Sequence, residues 1–284
     1  MSNAQRGGGV LCPVDLNGQS GAVIDLAASI ARSCSVPLFV VHASIHQVPP
    51  YFTHGDIEHL EEQLRQNREA VRRKLADAVK HTPGAEIHAE EGEPLSVILR
   101  LSETLHPSMI VMGTHARTGL ARTIDGSVAE SLVRSSAIPV LTMGPGDRVV
   151  ASPPVLCAVT DNELSRISLS WAARLAQCFG SSLTVLHVVE PGARGITDLC
   201  AWVGHDHPRS CEIQEVVRHG DAADEVLRHA AQSGAGLLVV GATHTLISDK
   251  TVIGATAEKL LRHAPCPVLT VFPGNRDLPG GELR

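Results

Sequence analysis

Apolar and polar positions along this chain alternate between two rhythms. Short continuous apolar runs, Val10–Val14, Leu38–Ala43, Met109–Gly113 and Val140–Met143, read as strands buried on both faces. Between them run longer stretches whose apolar residues recur three and four apart, the spacing of a helix with one covered face. Gly21–Ser33 carries Ala and Ile on that face, and Ile57–Lys80 carries Ile57, Leu60, Leu64, Val71, Leu75 and Ala78. Ile87–Glu90 is a short strand, Pro94–Thr104 a helix opened by proline, and Ser127–Ser135 a further helix. The Ile57 stripe could form a coiled-coil seam with Asn67 at a seam position, but a crossover helix over the sheet is the better reading. Strand and helix in alternation predict a doubly wound parallel sheet, because right-handed crossovers cover both faces.

The pattern occurs twice. Val10-Leu11-Cys12-Pro13-Val14 returns as Val155-Leu156-Cys157-Ala158-Val159, an offset of 145 that also carries Val40 onto Val185 and His42 onto His187. Farther along the offset is 128, with Gly92 onto Gly220, Gly113 onto Gly241, Gly126 onto Gly254 and Pro139-Val140-Leu141-Thr142 onto Pro267-Val268-Leu269-Thr270. The 17-residue difference is a deletion in the second copy between about 190 and 212, where the Ile57 helix should stand. The chain is thus a tandem duplication, with domains at 8–146 and 154–275 and a Gly- and Pro-rich linker over 144–154. Each domain is expected to hold a five-stranded parallel sheet, with the two related by a pseudo-two-fold axis.

Composition narrows the function. The 284 residues are 43% hydrophobic but only 2% aromatic, so the core is aliphatic and no stacking platform for single-stranded nucleic acid is available. A net charge of −6 argues against a duplex-binding surface. Seven scattered cysteines with no Cys-x-x-Cys read as reduced cytoplasmic thiols. No apolar run approaches membrane-spanning length, and the polar, Gly-rich start lacks the apolar core of a signal peptide, so a cytoplasmic protein is expected. Cys200, His205, His207 and Cys211, beside Asp198, offer zinc-ligand chemistry, but their spacing matches no zinc motif and they read as a loop. His42 and His187, at matching strand ends, read as half-buried structural histidines.

Gly113-Thr114-His115-Ala116 ends a strand and Gly126-Ser127 opens the next helix, the place where an open α/β sheet binds ligands. Helix-start N–H groups, the Ser127 hydroxyl and Arg117 in the loop could hold a phosphate; turn formation alone would also explain the glycines. Asp15, at the carboxyl end of the first strand, could accept hydrogen bonds from ribose hydroxyls or cap the Gly21 helix.

Gly113-x2-Ala116-x9-Gly126-Ser127 followed by Ile138-Pro139-Val140-Leu141, together with Met112–Leu120, Pro13-Val14-Asp15 and Val41-His42-Ala43, resembles the universal stress protein family over both copies. The resemblance implies an adenine-nucleotide alpha hydrolase-like fold and a site for ATP, with Mg²⁺ beside it, or for AMP. Asp15 would contact the ribose, and the Val14 and Ala43 backbones, beside Pro13, would contact the adenine. Met112, Gly113, His115, Gly126, Ser127 and Val128 would surround the ribose and phosphates. Ala116 stands where the family has a second glycine, and a methyl there is costly if the backbone needs φ > 0. In the second copy His244 replaces that glycine, Ala255 replaces Ser127, Thr160 replaces Asp15 and Thr245 replaces Arg117. That half reads as degenerate and structural, with Thr256 and Asp161 left to serve a different ligand.

The resemblance also implies a stress-response or signalling role, with ATP hydrolysis slow at most, since no P-loop lysine or carboxylate–histidine pair adjoins the proposed phosphates. A nucleotidyl transferase would need a His-x-Gly-His or Ser-Gly-Gly-x-Asp-Ser loop after the first strand, and Asp15–Ser20 is neither. An interaction module without nucleotide binding is the other alternative. Family members dimerise through their last strands; here Val140–Met143 and Val268–Phe272 would pair within one chain, with further self-association open.

Overall fold

The computed structural model describes residues 8–16, 18–45, 54–114, 128–192, 195, 199–202, 211–247 and 250–274. The first half runs β1 (Val10–Pro13), α1 (Ser20–Ser33), β2 (Leu38–Ser44), α2 (His54–Ala78), β3 (Glu86–Glu91), α3 (Pro94–Leu105), β4 (Met109–Gly113), α4 (Val128–Ser135) and β5 (Val140–Met143). The second runs β6 (Val155–Val159), α5 (Glu163–Phe179), β7 (Leu183–Val189), β8 (Ile213–His219), α6 (Ala222–Ser233), β9 (Leu237–Gly241), β10 (His244–Ile247), β11 (Lys250–Ile253), α7 (Ala255–His263) and β12 (Val268–Val271).

Ten strands form one sheet in the order β3-β2-β1-β4-β5-β12-β9-β6-β7-β8. Within each half the pairing is parallel. At the centre β5 and β12 pair antiparallel, with Leu141 opposite Leu269. The two expected five-stranded sheets are therefore one, joined through their last strands. Two edges that would otherwise present unpaired N–H and C=O groups are covered.

Alternation along each strand sends side chains to two separate cores. Val10 and Cys12 pack on one face with α1, α2 and α5; Leu11 packs on the other with α3, α4, α6 and α7. The Ile57 stripe proves to be a crossover helix: Leu75 of α2 is fully buried, with Val71 and Ala78 packed beside it. In the second half a short 3-10 turn, Leu199–Trp202, stands in the place of α2. Leu199 is fully buried, and Arg166 of α5 lies 4.3 Å from the centre of the Trp202 ring. Larger side chains on α5 compensate, since buried Trp171 and Phe179 occupy the positions of Leu26 and Cys34. One element was unforeseen: β10 and β11 form an antiparallel hairpin between Gly241 and Gly254.

Duplicated caps set two helix starts. Gly92 and Gly220 adopt φ of 137° and 142°, where a side chain would be strained. Each is followed by an acid that caps the next helix: Glu93 accepts from the Leu95 and Ser96 N–H groups, and Asp221 accepts from Asp224 N–H at 2.9 Å. The Ser96 and Leu95 N–H groups hold the Glu93 carboxyl below its ordinary 4.5. The stabilisation is complete above that value and is lost as pH falls through the lower folded-state value.

Leu269→Ala should lower the unfolding free energy by roughly 2–5 kcal/mol in urea titrations, because it opens a cavity at the seam. Glu93→Gln should cost up to about 1 kcal/mol at pH 6. That difference from wild type should shrink as pH falls through the lowered folded-state value of Glu93.

Candidate functional site

The carboxyl ends of the parallel strands form one rim in each half. In the first half Pro13 closes β1 and Val14 continues toward β2, giving its N–H to the Val41 carbonyl at 2.9 Å. The Val14 carbonyl accepts from His42 Nδ1 at 2.8 Å. Any adenine contact to this backbone would therefore share the carbonyl oxygen, which has a second lone pair. Asp15 is exposed and accepts from the hydroxyl of Ser20, the first residue of α1. The residue before α1 is Gln19, whose side chain makes no capping bond. Ala43 lies within β2, paired with Glu90, and Met112 is buried in β4. Beyond Gly113, Thr114 turns back on β5, its N–H and hydroxyl both reaching the Met143 carbonyl. Val128 begins α4. His115, Ala116, Arg117, Gly126 and Ser127 lie outside the described residues, as do His205 and His207 of the histidine–cysteine loop.

The second half displays the corresponding rim in full. A cavity of about 510 Å³ sits at the carboxyl ends of β6, β7 and β9, against the start of α7. Ala158, Val159, Thr160, Val188, Val240, Gly241, Thr243, Gly254, Ala255 and Thr256 all line it. By the repeat offsets these are the positions of Pro13, Val14, Asp15, Ala43, Met112, Gly113, His115, Gly126, Ser127 and Val128. Ten of the eleven candidate positions thus converge on one cavity in the duplicate.

Its two glycines serve different purposes. A Cβ on Gly241 would lie 2.7 Å from Leu164 Cγ and 3.0 Å from Ser168 Oγ, both on α5. The counterpart on Gly113 would meet Val23 Cγ2 of α1 at 3.1 Å. These glycines let a helix approach the strand end. Gly254 differs: a Cβ there would find only Thr243 Oγ1, at 3.9 Å, and φ is an ordinary −55°. Internal packing does not require glycine at that helix start. Gly254 also supplies no side-chain cap, so the first-turn N–H groups of α7 are left to other acceptors at the cavity wall.

The loop after β6 keeps the serine of the first half but rewires it. Ser165, at the position of Ser20, accepts from Thr160 N–H at 2.9 Å, and Asn162 caps α5 through Ser165 N–H at 2.7 Å. His187 repeats the His42 contact, with Nδ1 3.0 Å from the Val159 carbonyl. A carbonyl only accepts, so Nδ1 carries the proton and Nε2 of the neutral ring is an acceptor. That Nε2 is buried without a hydrogen-bond partner, and His187 lines the cavity. The sequence pattern pointed to neither His187 nor Glu190 as lining residues; matching strand-end positions were the available signal.

Duplicated doubly wound halves, each with a rim at its strand carboxyl ends, define a tandem α/β protein. The family model described as Universal stress protein family matches residues 9–143 and 205–271, and the chain belongs to that family. It is 31% identical over 137 residues to Universal stress protein A homolog 1 of Coxiella burnetii, covering 47% of this chain and 94% of that one. It is 28% identical over 202 residues to Universal stress protein Rv2005c of Mycobacterium tuberculosis, covering 66% of each. Among solved structures, a universal stress protein from Archaeoglobus fulgidus covers 93% of this chain and 98% of its own at a TM-score of 0.72 and 21% identity, a likeness of fold. The second family match begins after β6, α5 and β7, yet these elements pack as β1, α1 and β2 do.

Gly241→Ala should destabilise the fold by roughly 1–3 kcal/mol in urea titrations through overpacking against α5. Gly254→Ser should leave stability unchanged or raise it, since serine is a better cap. Equal losses in the two variants would contradict the assigned roles.

Proposed function

We propose that the protein binds an adenine nucleotide, ATP or AMP, at the strand ends of its first domain, and that this binding serves a stress-response or signalling role. One observation carries the reading: ten counterparts of the candidate residues line a single cavity in the duplicate half. The first half keeps the chemistry that the duplicate lacks, namely Asp15 for ribose hydroxyls, the Ser127 hydroxyl and the Arg117 charge. ATP would bring Mg²⁺ with it. Aliphatic walls and backbone groups, not stacked rings, would hold the base.

A second reading concerns the other cavity. Its lining includes Asp161 and Glu190 and, among the described residues, no Lys or Arg, which disfavours a polyphosphate. The buried His187 Nε2 instead favours a ligand with an N–H or O–H donor. The duplicate would take an uncharged nucleoside such as adenosine.

No helix among the described residues is long and apolar enough to cross a membrane. A cytoplasmic location accords with the scattered free thiols.

Calorimetry on the full chain tests both readings. ATP or AMP should bind wild type, and Asp15→Ala should weaken that binding about 10- to 100-fold. No binding, or unchanged binding in Asp15→Ala and Gly126→Val, would defeat the first reading. With both substitutions combined, residual binding should favour adenosine over ATP; a preference for ATP would defeat the second. ATP turnover of tens per second would mark an enzyme instead.

A further inference from the structure

The deletion that removes the crossover helix from the second half also bares a strand. In the first half β3 ends the sheet under α2: Ile87 and Ala89 pack against the core there, and Arg68 of α2 reaches Glu91 at 2.6 Å. β8 ends the sheet on the other side, and the offset of 128 sets Glu215, Val217 and His219 at the positions of Ile87, Ala89 and Glu91. Even with the Leu199–Trp202 turn against β8, Val217 is 47% exposed, and Glu215 and His219 are exposed beside it. The backbone points the same way. Leu183 N–H donates to the Glu212 carbonyl, and Gly220 N–H donates to the Val189 carbonyl. Both backbone groups of a strand residue turn to one side, and the side alternates along the strand. Gln214, Val216 and Arg218 therefore face β7, while Ile213, Glu215, Val217 and His219 turn their N–H and C=O groups to the outer edge. Every residue of β8 pairs with β7 in unbroken register, so no bulge or proline turns that edge aside. Among the described residues no other strand pairs with it.

We propose that β8 is a self-association edge, where a second copy of this chain adds its own β8 antiparallel about a two-fold axis through Val217. In that register Val217 stands opposite Val217 of the second copy, and Glu215 stands opposite its His219, twice over by symmetry. All three positions turn their backbone outward, so each pair exchanges N–H···O=C bonds. Their side chains share one face of the sheet. On that face a His219 ring N–H donates to a Glu215 carboxylate, whose two oxygens serve more than one donor. The exposed valines meet between the two polar pairs and leave water.

The side chains specify this register and this partner. Sliding the two copies by two residues sets Glu215 against Val217 in one direction and against Asp221 in the other. A helix in the manner of α2 fits the face less well, because Glu215 has replaced Ile87 on it. β3 has no such self-complement: the same register there sets Ile87 against Glu91, and α2 already lies over it. A single strand pair makes a small interface, so the dimer forms and dissociates with concentration.

Sedimentation velocity on the full chain over a range of concentrations tests this. The mass should rise from one chain toward two as concentration increases. Val217→Lys sets like charges face to face on the two-fold axis and should weaken dimerisation roughly 10-fold. Glu215→Lys should weaken it by a similar factor, and combining Glu215→Lys with His219→Glu should restore it, because opposite charges again face each other. The altered side chains are exposed, so far-ultraviolet circular dichroism of each variant should match wild type. A wild type that stays a single chain at every concentration would overturn the proposal. So would a dimer that survives Val217→Lys, or a charge reversal that restores nothing.

Discussion

The antiparallel pairing of β5 with β12 organises the molecule. Each half is a parallel sheet whose last strand would end at an open edge, and an aliphatic edge of that kind invites association. Here Val140, Leu141, Val268 and Leu269 are all fully buried, and the edge groups of one half satisfy those of the other. Because the strands run in opposite directions, the two halves are related by a local two-fold. That relation brings α1 against α5.

The duplication shows what each position requires. Gly92 and Gly220, with their following acids, recur because the turn geometry and the helix cap both demand them. Gly113 and Gly241 recur because a helix presses on the strand end. His42 and His187 recur because each donates to the carbonyl at the end of the first strand of its half. Other positions diverge where packing leaves them free. Asp15 became Thr160, and Ser127 became Ala255, at the rim and not in the core. The missing crossover helix was offset by Trp171, Phe179 and the Leu199–Trp202 turn, which cover the same face with larger side chains.

Much of this was legible in the chain itself. The apolar runs defined β4, β5 and β6 to the residue, since strands covered on both faces leave an unbroken apolar signal. The ends of α1 and α2 were less clear, because polar residues at helix starts carry no periodic signal. The β10–β11 hairpin was missed for a similar reason: His244–Ile253 contains no turn glycine and reads as the loop that joins a strand to a helix. At the candidate site, motif and family resemblance named the positions in the first half, and repeat register carried ten of them onto the cavity of the second.

Sequence by itself determined the duplication, the parallel α/β class and the aliphatic core, because these are written in composition, local periodicity and register between the copies, and a spaced glycine motif carried the resemblance to the family. Only the tertiary structure decided that the half with the weaker motif holds a 510 Å³ cavity with a buried imidazole nitrogen, and that β10 and β11 form a hairpin. The cavity depends on contacts between residues far apart in the chain. No local pattern encodes the distance between two strand ends that come together only when the sheet has formed.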